Sequence, residues 1–387
     1  MSVPLAERKT DYKDPPRFSH EADFQSLVRE MMAHDGSDLY LQADRPALAS
    51  INGQLKALSN KKFDTNEIAT ILRWVTGKDN AFAKIQGAQP INAAYELFDL
   101  TERDHRGERL RHRFRVNATP VLAGGAVAAQ VVMRAIPYEP PTAAKLNLPP
   151  ELVRAATPKN GIVYVCGATG SGKSTTFSAI VREVLEGDTP VKGNLVTYEE
   201  PIEFVYEMVS SRHSVIVQSE VPTHVVSFAD GIREAMRRKP ALILIGEARD
   251  EETISAAVEA SLTGHTVYTT VHAINVAAVV RRLVSRYPRE LQHTAMFDVV
   301  ETARYIVAQR LVPTLAGRLT AARETLEFDD DVRDELLRLD DMARVTARVR
   351  DMVDERGWSF VKEGKRLFET GQISAATARE LGYLVPV

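Results

Sequence analysis

The chain has 387 residues, 44% of them hydrophobic and 26% charged, with a formal net charge of −3. That length predicts two domains rather than one core. The balance excludes a disordered or collagen-like chain, and it supplies no overall positive field for nucleic acid or an anionic bilayer. Cys166 is the single cysteine, so no intramolecular disulfide can form and a reducing compartment is expected.

Residues 1–18 form a polar N-terminal tail carrying Lys9, Lys13 and Arg17, without the apolar core of a signal peptide. No run of about 18 uninterrupted apolar residues follows, so a soluble cytoplasmic protein with no transmembrane segment is expected. Residues 19–138 mix strands and helices in an α+β domain. Segments 37–42 and 47–53 fit a hairpin, 64–75 carries a helical period behind an Asp64 cap, and 111–116 and 126–136 read as two more strands. Prolines at 137, 140, 141, 149 and 150 mark a linker over 139–150. Beyond it, apolar strands at 161–166, 194–198, 215–218, 241–245 and 266–271 alternate with helices at 172–186, 227–238, 250–263 and 275–286. Such alternation predicts an α/β domain over 151–322 with a mostly parallel sheet covered on both faces. From 323 to 387 the pattern turns helical and charged, as in a small appended bundle.

The sequence GATGSGKS at 167–174 matches the phosphate-loop pattern in full, and a strand precedes it and a helix follows it. Gly167, Gly170 and Gly172 let the backbone wrap closely, so that N–H groups from Gly167 through Thr169, Ser171 and Thr175 point at phosphate. Lys173 is expected to reach the β and γ phosphates of ATP, and the Ser174 hydroxyl to ligate Mg²⁺.

Ligands of open α/β sheets sit beyond the carboxyl ends of the strands. Glu199, Glu200 and Glu203 follow one such strand and are expected to hold Mg²⁺ through water or to orient the attacking water. Glu247 ends the apolar strand 242–245, as in a Walker B segment, although Gly246 stands where an Asp is usual. His265 and His272 flank strand 266–271 at opposite ends, about 20 Å apart at 3.3 Å per residue. One metal cannot join them. Only His272 lies at the carboxyl end, where it can sense the γ-phosphate; a structural or subunit-contact role is expected for His265.

Together these segments resemble the secretion ATPase superfamily, which includes the retraction ATPase PilT. Residues 199–203 look like its Asp box, 246–250 its Walker B region and 262–272 its His box. Residues 113–117 and 133–137 look like its arginine-bearing strands. Within the superfamily, segments 218–222, 228–231, 237–240 and 328–333 are similar to the DotB and TraJ ATPases of type IVB (Dot/Icm) secretion and IncI-type conjugation. Glu200 departs from the Asp that PilT-like proteins usually carry there. The resemblance implies a PAS-like N-terminal domain, a RecA-like ATPase domain and a homo-hexamer recruited to cytoplasmic-side components of a secretion complex at the inner membrane. It also implies that Arg113, Arg115 and Arg134 reach the phosphates, a role suited to the always-charged, planar guanidinium. Glu247 is the favoured residue to position water, with Glu203 as the alternative. A GTPase is disfavoured because no N-K-x-D motif follows the loop, and an ABC-type ATPase because no LSGGQ-like signature occurs. An ATP-binding scaffold with little turnover is the remaining rival. The basic run 237–239 is read as compensation of a helix dipole, with no direct nucleic-acid contact expected.

Overall fold

The computed structural model describes residues 12–385, apart from 52–53, 104–106, 108 and 138. The chain divides into two compact units, one ending at residue 138 and the other beginning at Glu139.

The first unit opens on α1 (Glu21–Ala33). Strands β1 (Gly36–Gln42), β2 (Leu48–Ile51) and β3 (Gln54–Ala57) follow, then helices α2 (Thr65–Thr76) and α3 (Ala81–Gln86). Strands β4 (Ile91–Arg103), β5 (Arg109–Ala123) and β6 (Ala126–Ile136) complete it. Among the described residues the sheet is antiparallel throughout, in the order β3-β2-β1-β6-β5-β4. Asp64 caps α2 as the sequence predicts: its carboxylate accepts from Glu67 N–H at 2.7 Å, and Glu67 accepts from Asp64 N–H at 2.9 Å. That reciprocal pair satisfies two otherwise orphaned donors.

Alternation along β5 sends Phe114, Val116 and Ala118 into the core, each fully buried, and leaves Arg113, Arg115 and Asn117 on the other face. Phe114 packs against Tyr95, with ring centroids 6.4 Å apart. Phe114→Ala is expected to cost about 3–5 kcal/mol. The check is urea unfolding followed by Trp74 fluorescence in a Trp358→Phe background, which isolates this unit.

Residues 12–18 of the polar N-terminal stretch are docked on this unit. The Asp14 carboxylate accepts from Asn60 N–H at 2.8 Å and Lys61 N–H at 3.1 Å. Phe18 is 1% exposed and stacks on Phe63. One aromatic side chain and one turn-capping carboxylate suffice to dock an otherwise polar stretch. Residues 1–11 lie outside the described residues.

The second unit begins with α4 (Pro150–Ala155), β7 (Gly161–Cys166), α5 (Lys173–Glu186), β8 (Asn194–Glu199), β9 (Val215–Glu220) and α6 (Phe228–Met236). It continues through β10 (Pro240–Ile245), α7 (Glu251–Leu262), β11 (Thr266–Val271), α8 (Ala277–Val284), α9 (Gln292–Thr302), β12 (Ala303–Pro313) and β13 (Leu319–Glu327). Helices α10 (Asp330–Leu337), α11 (Met342–Glu355), α12 (Phe360–Glu369) and α13 (Ala375–Glu380) end it. The sheet order is β13-β12-β7-β11-β10-β8-β9, parallel except for β13.

Every residue of β7 and β11 is buried, and successive residues serve opposite faces. Ile162, Tyr164 and Cys166 join the core built with α6, α7, α8 and α9. Val163 and Val165 join a separate core beneath α4 and α5. The molecule is therefore a RecA-like α/β domain with an antiparallel-sheet domain before it and small helices after it. The helical stretch expected from 323 starts at Asp330 instead, because residues 319–327 pair with β12 as an edge hairpin.

Candidate active site

The phosphate-loop residues fall between β7, third of the seven strands, and α5. Gly172 caps α5 at φ 82°, ψ 24°, left-handed backbone that suits glycine. Gly167 serves close approach: a methyl there would lie 2.4 Å from the Gln309 carbonyl oxygen and from Ser171 Oγ. Thr169 and Gly170 are exposed, Ser171 is buried, and Ser174 and Thr175 are half-buried at the start of α5. Ser171 Oγ is buried with no hydrogen-bond partner, so the loop holds a polar atom in reserve. Lys173 Nζ donates to the Gly167 carbonyl at 3.1 Å and the Ala168 carbonyl at 3.0 Å. Burial lowers its pKa, opposed first by Glu247, then by Cys166 and Glu203. Glu247 and Glu203 are thus the carboxylates that Lys173 senses.

Glu247 follows β10 and His272 follows β11, neighbouring parallel strands that end at the same edge. His272 Nε2 lies 3.5 Å from Glu247 Oε1. The turn before Glu247 is fixed from β11: Thr270 Oγ1 donates to the Gly246 carbonyl at 2.6 Å, and Ala248 N–H donates to the Thr270 carbonyl at 3.0 Å. His265 sits at the opposite end of β11, where Nδ1 meets the Pro240 carbonyl at 3.0 Å. Its ring secures the start of the neighbouring strand.

The acidic segment after β8 is organised inwardly. Glu199 accepts from Thr197 Oγ1 at 2.7 Å and Gln218 Nε2 at 3.3 Å through one oxygen, and from Glu203 N–H at 3.5 Å through the other. Burial pushes its pKa up to about 7. Glu200 pairs with Arg249 at 3.0 Å, whose guanidinium also lies over the Phe228 ring. Direct metal ligation by Glu199 or Glu200 would compete with these bonds. Ser174 and Glu247 carry fewer such commitments. Among the described residues no group of three or more His, Cys, Asp or Glu side chains is arranged to hold a metal ion. Mg²⁺ at nucleotide sites is held by one or two protein groups plus phosphate oxygens, a donor set that Ser174 and Glu247 fit. The wrapped loop, the Ser171 hydroxyl and the Lys173 ammonium fit a polyphosphate.

In the N-terminal unit, Arg115 and Arg134 are cross-strand partners on β5 and β6 and both are exposed. Arg134 Nε lies 2.7 Å from Asp38 Oδ1, and that hydrogen-bonded pair raises the Arg134 pKa. Arg113 is 4% exposed and its Nε lies 2.8 Å from Glu96 Oε1.

Two buried polar residues have no warning in the sequence: Gln309 on β12 and Arg323 on β13, 2% and 7% exposed. Gln309 bonds to the phosphate loop across a separation of 138 residues, which no local pattern encodes.

A largely parallel sheet in which β7 delivers a phosphate loop, with histidine and acid at the ends of the next two strands, β11 and β10, defines a P-loop nucleotide site of RecA type. A family model described as "Type II/IV secretion system protein" matches residues 107–356, and the chain belongs to that family, the secretion ATPases. Its fold is similar to the crystal structure of the ATPase DotB of Yersinia pseudotuberculosis, at 45% identity and a TM-score of 0.83 over 98% of each chain. The ATPase DotB of Legionella pneumophila is similar at 38% identity and a TM-score of 0.85, over 96% of this chain and 97% of that one. The type IV pilus retractation ATPase PilT of Pseudomonas aeruginosa is 28% identical over 92% of this chain and 97% of its own. No helix among the described residues is long and apolar enough to cross a membrane.

Proposed function

We propose that this chain hydrolyses Mg-ATP as a homo-hexameric motor of a type IVB secretion or conjugative transfer machine. The observation that carries this reading is the convergence of Lys173, Glu247, Glu203 and His272 at one edge of the central strands. Likeness to two DotB ATPases over nearly the whole chain supports the type IVB assignment.

Lys173 exchanges its loop carbonyls for β and γ phosphate oxygens of the substrate, and backbone N–H groups of the loop hold the remaining oxygens. Glu247 accepts a proton from the attacking water and aligns it. His272, beside that carboxylate, holds its orientation and carries the site's response to the γ-phosphate. Glu203 adds negative charge that keeps Lys173 protonated. The Ser174 hydroxyl would hold Mg²⁺, with Glu247 reaching it through water, and the ion would supply charge neutralisation on the phosphate oxygens. Glu199 and Glu200 shape the acidic segment through Gln218 and Arg249. Arg115, Arg134 and Arg113 are assigned to the phosphates from the N-terminal domain, whose closure on nucleotide and opening after hydrolysis supply the movement. The net charge of −3 favours protein components of the machine over DNA as direct partners.

The test is Mg-dependent phosphate release measured across size-exclusion fractions. Activity peaking in a hexamer-sized fraction is expected. Hexamers that bind ATP and release no phosphate would replace the motor with a nucleotide-dependent scaffold.

A further inference from the structure

The β12–β13 hairpin lies beside the phosphate-loop strand, and it contributes one side chain whose every polar atom is used. Gln309 Nε2 donates to the Ser171 carbonyl at 2.7 Å. Its Oε1 accepts from Thr176 Oγ1 at 2.8 Å and from Arg323 Nε at 2.9 Å. The amide orientation is dictated by its partners, since a carbonyl only accepts and a guanidinium only donates. The same residue sets the spacing of the loop on both sides. Its carbonyl oxygen closes off Gly167, and its side-chain nitrogen would lie 2.9 Å from a methyl placed at Gly172.

Arg323 in turn donates through Nη2 to the Leu146 carbonyl at 3.2 Å. Buried as it is, its charge is opposed chiefly by Glu363 of α12, a carboxylate that also takes Arg366 and Trp358 Nε1. A buried charge without such partners would be strongly unfavourable. The cation therefore has few alternative positions, and its fork fixes the amide that touches the loop.

We infer that Gln309 is a positioning residue of the nucleotide site: it holds the phosphate loop in its receiving shape from outside, and Arg323 holds Gln309. The inference rests on the reading of residues 167–174 as an ATP site. A loop kept in shape before ligand arrives spends less of the binding interaction on ordering itself. Removing the brace leaves the Ser171 carbonyl, the Thr176 hydroxyl and the Arg323 guanidinium unsatisfied in a buried place. Nucleotide affinity should fall with it, although no atom of Gln309 need touch the nucleotide.

The test uses the full-length protein and a fluorescent ATP analogue, with thermal unfolding of the nucleotide-free protein measured in parallel. Gln309→Met keeps the volume and removes all three bonds; it should raise Kd by about tenfold or more. Arg323→Met should raise it less, because the bond from Gln309 to the Ser171 carbonyl survives. If Gln309→Met does not fold, Gln309→Glu replaces it: both acceptor bonds remain, and only the donor to Ser171 is lost, with the same rise expected. A variant that melts earlier yet binds within twofold of the unmodified protein would overturn the inference, because the brace would then be purely structural. An unmodified protein that takes up no nucleotide would overturn the ATP-site reading and this one with it, a distinct result.

Discussion

Lys173→Ala is expected to abolish ATP turnover and to weaken nucleotide binding by at least tenfold, with the fold intact. The ammonium is the charged group closest to the loop carbonyls, 3.0–3.1 Å from two of them, and it balances Glu247 and Glu203. Its removal deletes the point charge that meets the phosphates and leaves two carboxylates facing an anionic substrate. Loss of a pre-aimed charge at a phosphoryl site typically costs 10²–10³ in rate, and the added repulsion enlarges that. Phosphate release at saturating Mg-ATP, beside binding by a fluorescent analogue, separates the two effects. Turnover within tenfold of the unmodified enzyme would remove Lys173 from the chemistry.

Glu247→Gln should behave differently, stopping hydrolysis by about 10²–10⁴ while ATP still binds. The amide keeps the size and the approach to His272, 3.5 Å away, but cannot accept the water's proton. Less negative charge beside Lys173 should leave affinity equal or tighter. The variant should therefore accumulate in the ATP-bound form, read as retention of labelled ATP after rapid gel filtration. Loss of binding together with turnover would give Glu247 to the architecture of the site, and Glu203 would become the residue to test.

Much of this site was legible because its signals are local. Short β-branched and aromatic runs such as 161–166 and 266–271 fit strands buried on both faces, and both are buried throughout. The wrapped glycines and Lys173 follow the first such run within seven residues, and Glu247 follows strand 240–245 within two. His272 and His265 were separable because strand length alone puts them at opposite ends. What was hidden depends on distant partners. Strand β13 carries Arg323 and Glu324 at 7% and 9% exposure, and two buried charges break the apolar pattern that marks a strand. Their compensation comes from Gln309, Leu146, the Val276 N–H and α12, all remote in sequence. The docking of residues 12–18 was hidden likewise, since Asp14 Oδ2 accepts from backbone N–H groups 46 and 47 residues away. The inward commitments of Glu199 and Glu200 follow from Gln218 and Arg249, partners that acidic spacing alone does not reveal.

The resting place of the Lys173 ammonium bears on the end of the cycle rather than its beginning. A cation that always has two carbonyls to return to gives the emptied loop a stable form of its own. Whatever free energy those contacts contribute is subtracted from the affinity for any phosphate group, spent nucleotide included. On the proposed reading, the loop's own oxygens would help to displace product. On that reading, a motor that must reset many times would gain cadence from this arrangement at the expense of grip.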